Sequence, residues 1–225
     1  MPHPFGDDHW CSGFSLVRDL RVLYVEDSGG SRLQHVDLPK LGSSRPEVTV
    51  IIVAAEYHDV FNPLVSIMNV HYPINAVIVC LDPEHRDEVV WIPWRYAHSM
   101  PRFKIFEPKE KLSVCDGMNA GLQSVDTPYV CVLGSGAMLH MLALECLTAN
   151  VGSCDWIEAR RFKLSAMGWA QYSTDLFKPL WKTDCIIRNG GFQGSGDDHE
   201  IEESLMARAA PAAAHARLDS VLFFG

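Results

Sequence analysis

The chain has no basic run. It carries 19 Lys and Arg against 28 Asp and Glu, a net charge of −9. Nowhere do cations cluster as phosphate binding requires, so a nucleic-acid-binding surface is excluded. Long hydrophobic runs are missing too. The longest, such as Val48 to Ala55, fall far short of the ~20 apolar residues that cross a bilayer. Around Asp7, Asp8 and His9 there is neither the basic region nor the apolar region of a secretory signal. The 7 cysteines, at positions 11, 80, 115, 131, 146, 154 and 185, never fall in a CxxC spacing, and there is no N-x-S/T sequon. That pattern fits reduced thiols rather than a disulfide framework or a zinc ribbon. Together these absences predict a cytoplasmic protein with no nucleic-acid partner and no transmembrane segment.

What is present is ordinary for a globular enzyme or binding domain. The sequence has 225 residues, 48% of them hydrophobic and 21% charged, enough for one domain with a sizeable core. Residues 1–46 mix polar, Gly and Pro residues and end in the linker-like Gly42-Ser43-Ser44-Arg45-Pro46. They read as an N-terminal extension with a candidate β-hairpin: Leu20 to Val25, a turn at Asp27-Ser28-Gly29-Gly30, and Leu33 to Val36. From residue 47 to 225 short apolar strands alternate with helical patterns. Val48 to Val53 is β-branched at nearly every position, as in a strand covered on both faces. Leu64, Ile67 and Met68 share one face of a helix over Phe61 to Val70. Ala76 to Leu81, Phe103 to Phe106 and Tyr129 to Leu133 read as further strands, and Leu112 to Ser124 as a helix with Val114, Met118 and Leu122 at four-residue steps. Such alternation predicts an α/β fold, a mostly parallel twisted sheet flanked by helices.

Ligands bind such sheets at the carboxyl ends of the strands. The rule selects Ala54, Ala55 and Glu56, the segment Asp82 to Asp87, and the loop Gly134, Ser135 and Gly136. Asp82 can accept hydrogen bonds from a bound base or ribose, or simply open a turn with Pro83. Farther on, a Gly-rich loop precedes Asp197, Asp198, His199, Glu200, Glu202 and Glu203, five acids and a histidine within seven residues. One acid suffices to cap a helix, and the excess points to a general base or part of a metal shell. The aromatic residues Trp91, Trp94, Tyr96, Trp156, Trp169, Tyr172 and Trp181 suit either a core or a ligand pocket.

Four segments in order, over residues 47 to about 210, resemble the inverting glycosyltransferases of the GT-A fold, family-2 type. VTVIIVAAEYHD is similar to that family's opening strand. NVHYPINAVIVCLDPEHRD resembles its second strand, with Asp82 on a base-binding aspartate. LSVCDGMNAGLQSVDTPYVCVL matches its helix–strand unit, with Asn119 and Gly121 in register, and NGGFQGSGDDHE its G-G-F segment followed by an acidic helix start. The resemblance implies a UDP-, GDP- or dTDP-sugar donor bound by Ala54, Ala55, Glu56, Asp82, Asn119, Gly134, Ser135 and Gly136. It implies Asp198 as the base, with Asp197 and Glu202 as rivals, and Gly190, Gly191 and Phe192 at the junction of donor and acceptor. It also implies a divalent cation, Mg²⁺ or Mn²⁺.

The family holds its metal on a D-x-D motif, and that motif should fall on Gly134-Ser135-Gly136, where both acids are missing. The diphosphate's charge must then be met otherwise. Candidates are the loop's backbone amides, the Ser135 hydroxyl, or Arg160, Arg161, Lys163 or Arg188. Three functions stay open. The first is an active glycosyltransferase, with or without a metal, and the second a catalytically inactive binding or partner module. The third, a Ser135 hydrolase, is weakened by Leu133 standing where the G-x-S-x-G elbow needs glycine, although His140 and His215 exist as partners.

Overall fold

The computed structural model describes residues 22–27, 30–35, 45–70, 72–96, 102–164, 170–171 and 177–224. Leu20, Val36, Trp169 and Tyr172 lie outside them. Strand β3 (Val48–Ala54) is buried at all seven positions, as its β-branched composition requires. It pairs in parallel with β4 (Ile74–Cys80) and β6 (Tyr129–Leu133), and β4 pairs in parallel with β5 (Phe103–Phe106). Helix α1 (Tyr57–Met68) links β3 to β4. It begins four residues ahead of the pattern's first apolar position because Asp59 accepts hydrogen bonds from the amides of Ala55 (2.9 Å) and Glu56 (3.3 Å). A helix start so satisfied needs no apolar periodicity. Helices α2 (Arg86–Tyr96) and α3 (Val114–Leu122) follow β4 and β5. Ser113 caps α3 by accepting from the Asp116 amide at 3.1 Å.

Beyond β6 come β7 (Met138–Leu139), α4 (Ala143–Val151), β8 (Trp156–Leu164), β9 (Ala170–Gln171), β10 (Phe177–Lys182), α5 (Thr183–Arg188), α6 (Asp198–Ala209) and β11 (His215–Phe224). At the start, β1 (Val22–Asp27) and β2 (Gly30–His35) form an antiparallel ladder, and β1 also pairs with β11. The sheet runs β2-β1-β11-β8-β10-β6-β3-β4-β5, with β7 on β11 and β9 on β8. Strand β10 is antiparallel to both β8 and β6, while β8 and β11 are parallel, so the sheet is mixed around a parallel centre.

Apolar periodicity does not announce β8, β10 and β11, because charged residues and Pro179 interrupt them. Some of that charge is matched across strands. Glu158 on β8 stands opposite Arg217 on β11 in the ladder and accepts from its Nε at 2.7 Å. One core cluster packs α1 and α4 on one face of the sheet, with Leu64, Leu144 and Leu147 fully buried. The other packs α3, α5 and α6 on the opposite face, through Met118, Ile186 and Leu205. The fold is therefore α/β with helices on both faces, as the alternation predicted. Among the described residues no helix is long and apolar enough to cross a membrane.

Candidate functional site

At the carboxyl edge of the parallel strands, contacts join four elements in a line. At its centre is Lys178 on β10, fully buried. Its ammonium donates to Asp198 Oδ2 and Glu202 Oε2, carboxylates one turn apart on α6. Asp198 is the first residue of α6, and Asp197 caps that helix by accepting from the Glu200 amide at 2.9 Å. The Asp198 carboxylate lies against the Cα of Gly134, where a Cβ would stand less than 3.0 Å from it. Next in the loop, the Ser135 hydroxyl donates to Asp59 Oδ1, whose other oxygen holds the amides of Ala55 and Glu56. One run of contacts thus connects β10, α6, the loop after β6 and the start of α1.

The electrostatics follow from burial. Desolvation alone would pull the Lys178 ammonium down, but Asp198 and Glu202 outweigh it and raise it above its ordinary value. Burial pushes Asp198 upward as well, yet Lys178, helped by Arg161, holds it below the ordinary carboxylate value. Glu202 goes the other way. Desolvation first, then repulsion from Asp198, lifts it to about 7 against the opposing pull of Lys178. At neutral pH Asp198 is therefore the settled carboxylate of the pair.

A second group fixes the Gly-rich loop. Asn119 on α3 donates from Nδ2 to the Phe192 carbonyl and accepts from the Phe192 amide with Oδ1, both at 2.9 Å. Arg208 on α6 donates to the Gly191 carbonyl at 2.6 Å. Gly190 and Gly191 both have left-handed φ angles, 79° and 76°, and a Cβ on Gly191 would sit 2.7 Å from Asn119 Oδ1. Asn119 therefore acts on the protein's own backbone, positioning Gly190, Gly191 and Phe192. A third group closes the ends of β3 and β4. Asp82 accepts from the Glu84 amide at 3.0 Å and from Lys111 Nζ at 2.7 Å, and the Lys111 bond above all keeps its carboxyl below the usual range. The turn reading of Asp82 is realised, with a solvent-facing lysine above it: the Lys111 side chain is 75% exposed.

The structure brings Asp198, Glu202, Gly134, Ser135, Ala55 and Glu56 together. Glu202 is fully buried behind Asp198, out of reach of an acceptor, and Asp197 is exposed at the helix cap. Of the cations considered for the diphosphate, Arg161 acts on Asp198, Arg188 pairs with Asp155 at 2.7 Å, and Arg160 and Lys163 lie on β8. Trp156 and Trp181 are core, with ring centroids 5.1 Å apart, whereas Trp91 is 54% exposed. Sequence reasoning missed Lys178 and Asp59. The signal for the first was a lone lysine in the otherwise apolar FKPLW; for the second, an acid three residues after Glu56, the spacing of a capping box.

A divalent cation does not fit the residues present. Gly134 and Gly136 offer no side-chain oxygen, Ser135 is engaged by Asp59, and the ammonium of Lys178 already sits between Asp198 and Glu202. Among the described residues no group of three or more His, Cys, Asp or Glu could hold a metal ion.

No protein-family model and no curated protein matches the chain. Solved structures do match in fold. Residues 1–349 of S. aureus TarS in complex with UDP-GlcNAc align at 15% identity and a TM-score of 0.65, over 80% of this chain and 58% of that one. The mannosyltransferase PcManGT from Pyrobaculum calidifontis, in complex with GDP-Man and Mn²⁺, aligns at 14% identity and a TM-score of 0.64, over 96% of this chain and 64% of that one. The chain thus spans less than two thirds of these proteins, and at such identities the likeness is one of fold: the α/β fold of structurally known glycosyltransferases.

Proposed function

We propose that the protein is a glycosyltransferase that moves a sugar from a nucleotide-diphospho-sugar to an acceptor hydroxyl with inversion, without a metal. The observation that carries the reading is the position of Asp198: an ionised carboxylate at the start of α6, set against the loop that ends β6. Its fold is shared with proteins bound to UDP-GlcNAc and GDP-Man. The acceptor oxygen attacks the anomeric carbon as the bond from that carbon to the diphosphate oxygen breaks. The leaving nucleoside diphosphate takes the bonding electrons, and the acceptor's proton passes to Asp198, whose Oδ1 is the oxygen not bonded to Lys178. Lys178 keeps that carboxylate ionised. Ala54, Ala55, Glu56 and Asp82 line the donor side, where Lys111 can exchange Asp82 for ligand oxygens. Arg161 and the amides of the loop at Gly134 to Gly136 meet the diphosphate charge. Residues 1–46 are an extension to this domain, and the compartment is the cytoplasm.

A second reading has its own observation. Asp198 is 7% exposed and held by Lys178, which favours a binding module without turnover. Calorimetry with UDP-, GDP- and dTDP-sugars, followed by product assays on wild type and Asp198→Asn, tests both. The enzyme reading expects nucleotide-sugar binding in both proteins and transfer lost only in the variant. Binding with no turnover by wild type supports the module, and no binding of any nucleotide-sugar overturns both.

A further inference from the structure

We propose that Lys178 is a built-in replacement for a divalent cation: its ammonium fills the slot between the loop after β6 and the start of α6, so that the slot excludes Mg²⁺ and Mn²⁺ until the lysine is removed. The name of the slot rests on the glycosyltransferase reading above, but its contents do not.

Two carboxylates at i and i+4 on α6 converge on one positive centre, an arrangement they would equally offer to a metal. That centre is fully buried and comes from a different element, β10. Gly134 completes the substitution. Asp198, drawn to Lys178, occupies the volume in which any side chain at 134 would begin, so an acid at that position and the lysine pair are mutually exclusive. The glycine in place of a metal-binding acid and the lysine in the strand thus belong to one arrangement. Arg188, one of the cations considered from the sequence, pairs instead with Asp155.

Removing the ammonium while keeping the acids should convert the slot into a cation site. Lys178→Ala leaves a void lined by Asp198 and Glu202, whereas Lys178→Met fills it with apolar atoms. Mn²⁺ binding, read by electron paramagnetic resonance on the free protein, should be absent in wild type and in Lys178→Met. It should reach one equivalent in Lys178→Ala, at least tenfold tighter than in the double variant Lys178→Ala/Asp198→Asn. If Lys178→Ala folds only when Mn²⁺ is supplied, the result is the same. Stoichiometric Mn²⁺ binding by wild type that disappears in Asp198→Asn would overturn the inference, as would a folded Lys178→Ala that gains no site. Because no nucleotide is present, a failure of the glycosyltransferase reading would leave these outcomes unchanged.

Discussion

The Cα of Gly134 rests against the carboxylate of Asp198, two residues 64 positions apart that neither local pattern nor propensity connects. Any side chain at 134 must displace the acid or move the loop. Gly134→Ala should therefore cost ~1–3 kcal/mol through overpacking, and Gly134→Asp more, by setting a second carboxylate beside the first. Gly136 is the control. Its φ is 69° and nothing lies within 4 Å of where a methyl group would stand, so Gly136→Ala should cost only the ~1–2 kcal/mol of a left-handed L-residue. Urea midpoints of the three variants give the order, and a Gly134→Asp protein as stable as wild type would break the argument.

Glu202 sets a pH dependence whose sign can be worked out. Its native value is about 7 against 4.5 in the unfolded chain, so between those limits the native state holds a proton that the unfolded state has released. The stability this group contributes is complete below about pH 4.5 and is lost as pH rises to about 7. Asp198, lowered from 3.8, acts in the opposite sense: its contribution is present above that value and goes as pH falls through the native one. Glu202→Gln should therefore gain on wild type by on the order of 3 kcal/mol between pH 5 and pH 8. Parallel denaturation curves at the two pH values test this.

Breaking the buried ion cluster should be strongly non-additive. Lys178→Met strands two carboxylates and should cost ~3–5 kcal/mol. Adding Asp198→Asn and Glu202→Gln removes the stranded charges, and the triple variant should be more stable than Lys178→Met alone. Calorimetric unfolding of both proteins decides it.

Asn119→Ala should free the loop at Gly190, Gly191 and Phe192 by leaving the Phe192 amide and carbonyl without their side-chain partner. The cost is ~1–3 kcal/mol, and hydrogen exchange should rise at Gly191 and Phe192 while the β3 amides stay protected.

Ser135 donates its hydroxyl to Asp59, so it is a tether rather than a nucleophile. Ser135→Ala should cost ~1 kcal/mol, and wild type should resist labelling by a fluorophosphonate. Covalent labelling at Ser135 would restore the hydrolase reading.

The parallel centre was legible because β3, β4 and β6 are buried on both faces and carry near-continuous apolar runs. Strands β8, β10 and β11 were not, since a pair such as Glu158 and Arg217 satisfies its charges only across a ladder that the linear sequence does not display. The same limit governed the site. The acidic start of α6 and the glycines at 134 and 136 stood out in sequence, but nothing local to Lys178 shows that β10 carries it between Asp198 and Glu202. Asn119 stood out as well, but its partner did not: it holds the Phe192 backbone, a contact that spans 73 positions.

The coupling of Gly134, Lys178 and Asp198 constrains the order in which this sequence can change. An acid arriving at 134 meets an occupied volume, and a lysine lost from 178 strands two buried charges, so either step alone passes through a damaged protein. Only a joint replacement leads, without such damage, from the ammonium-filled form to one that carries a metal-binding acid at 134. The two forms are separated by a valley in sequence space, and this chain sits on one side of it.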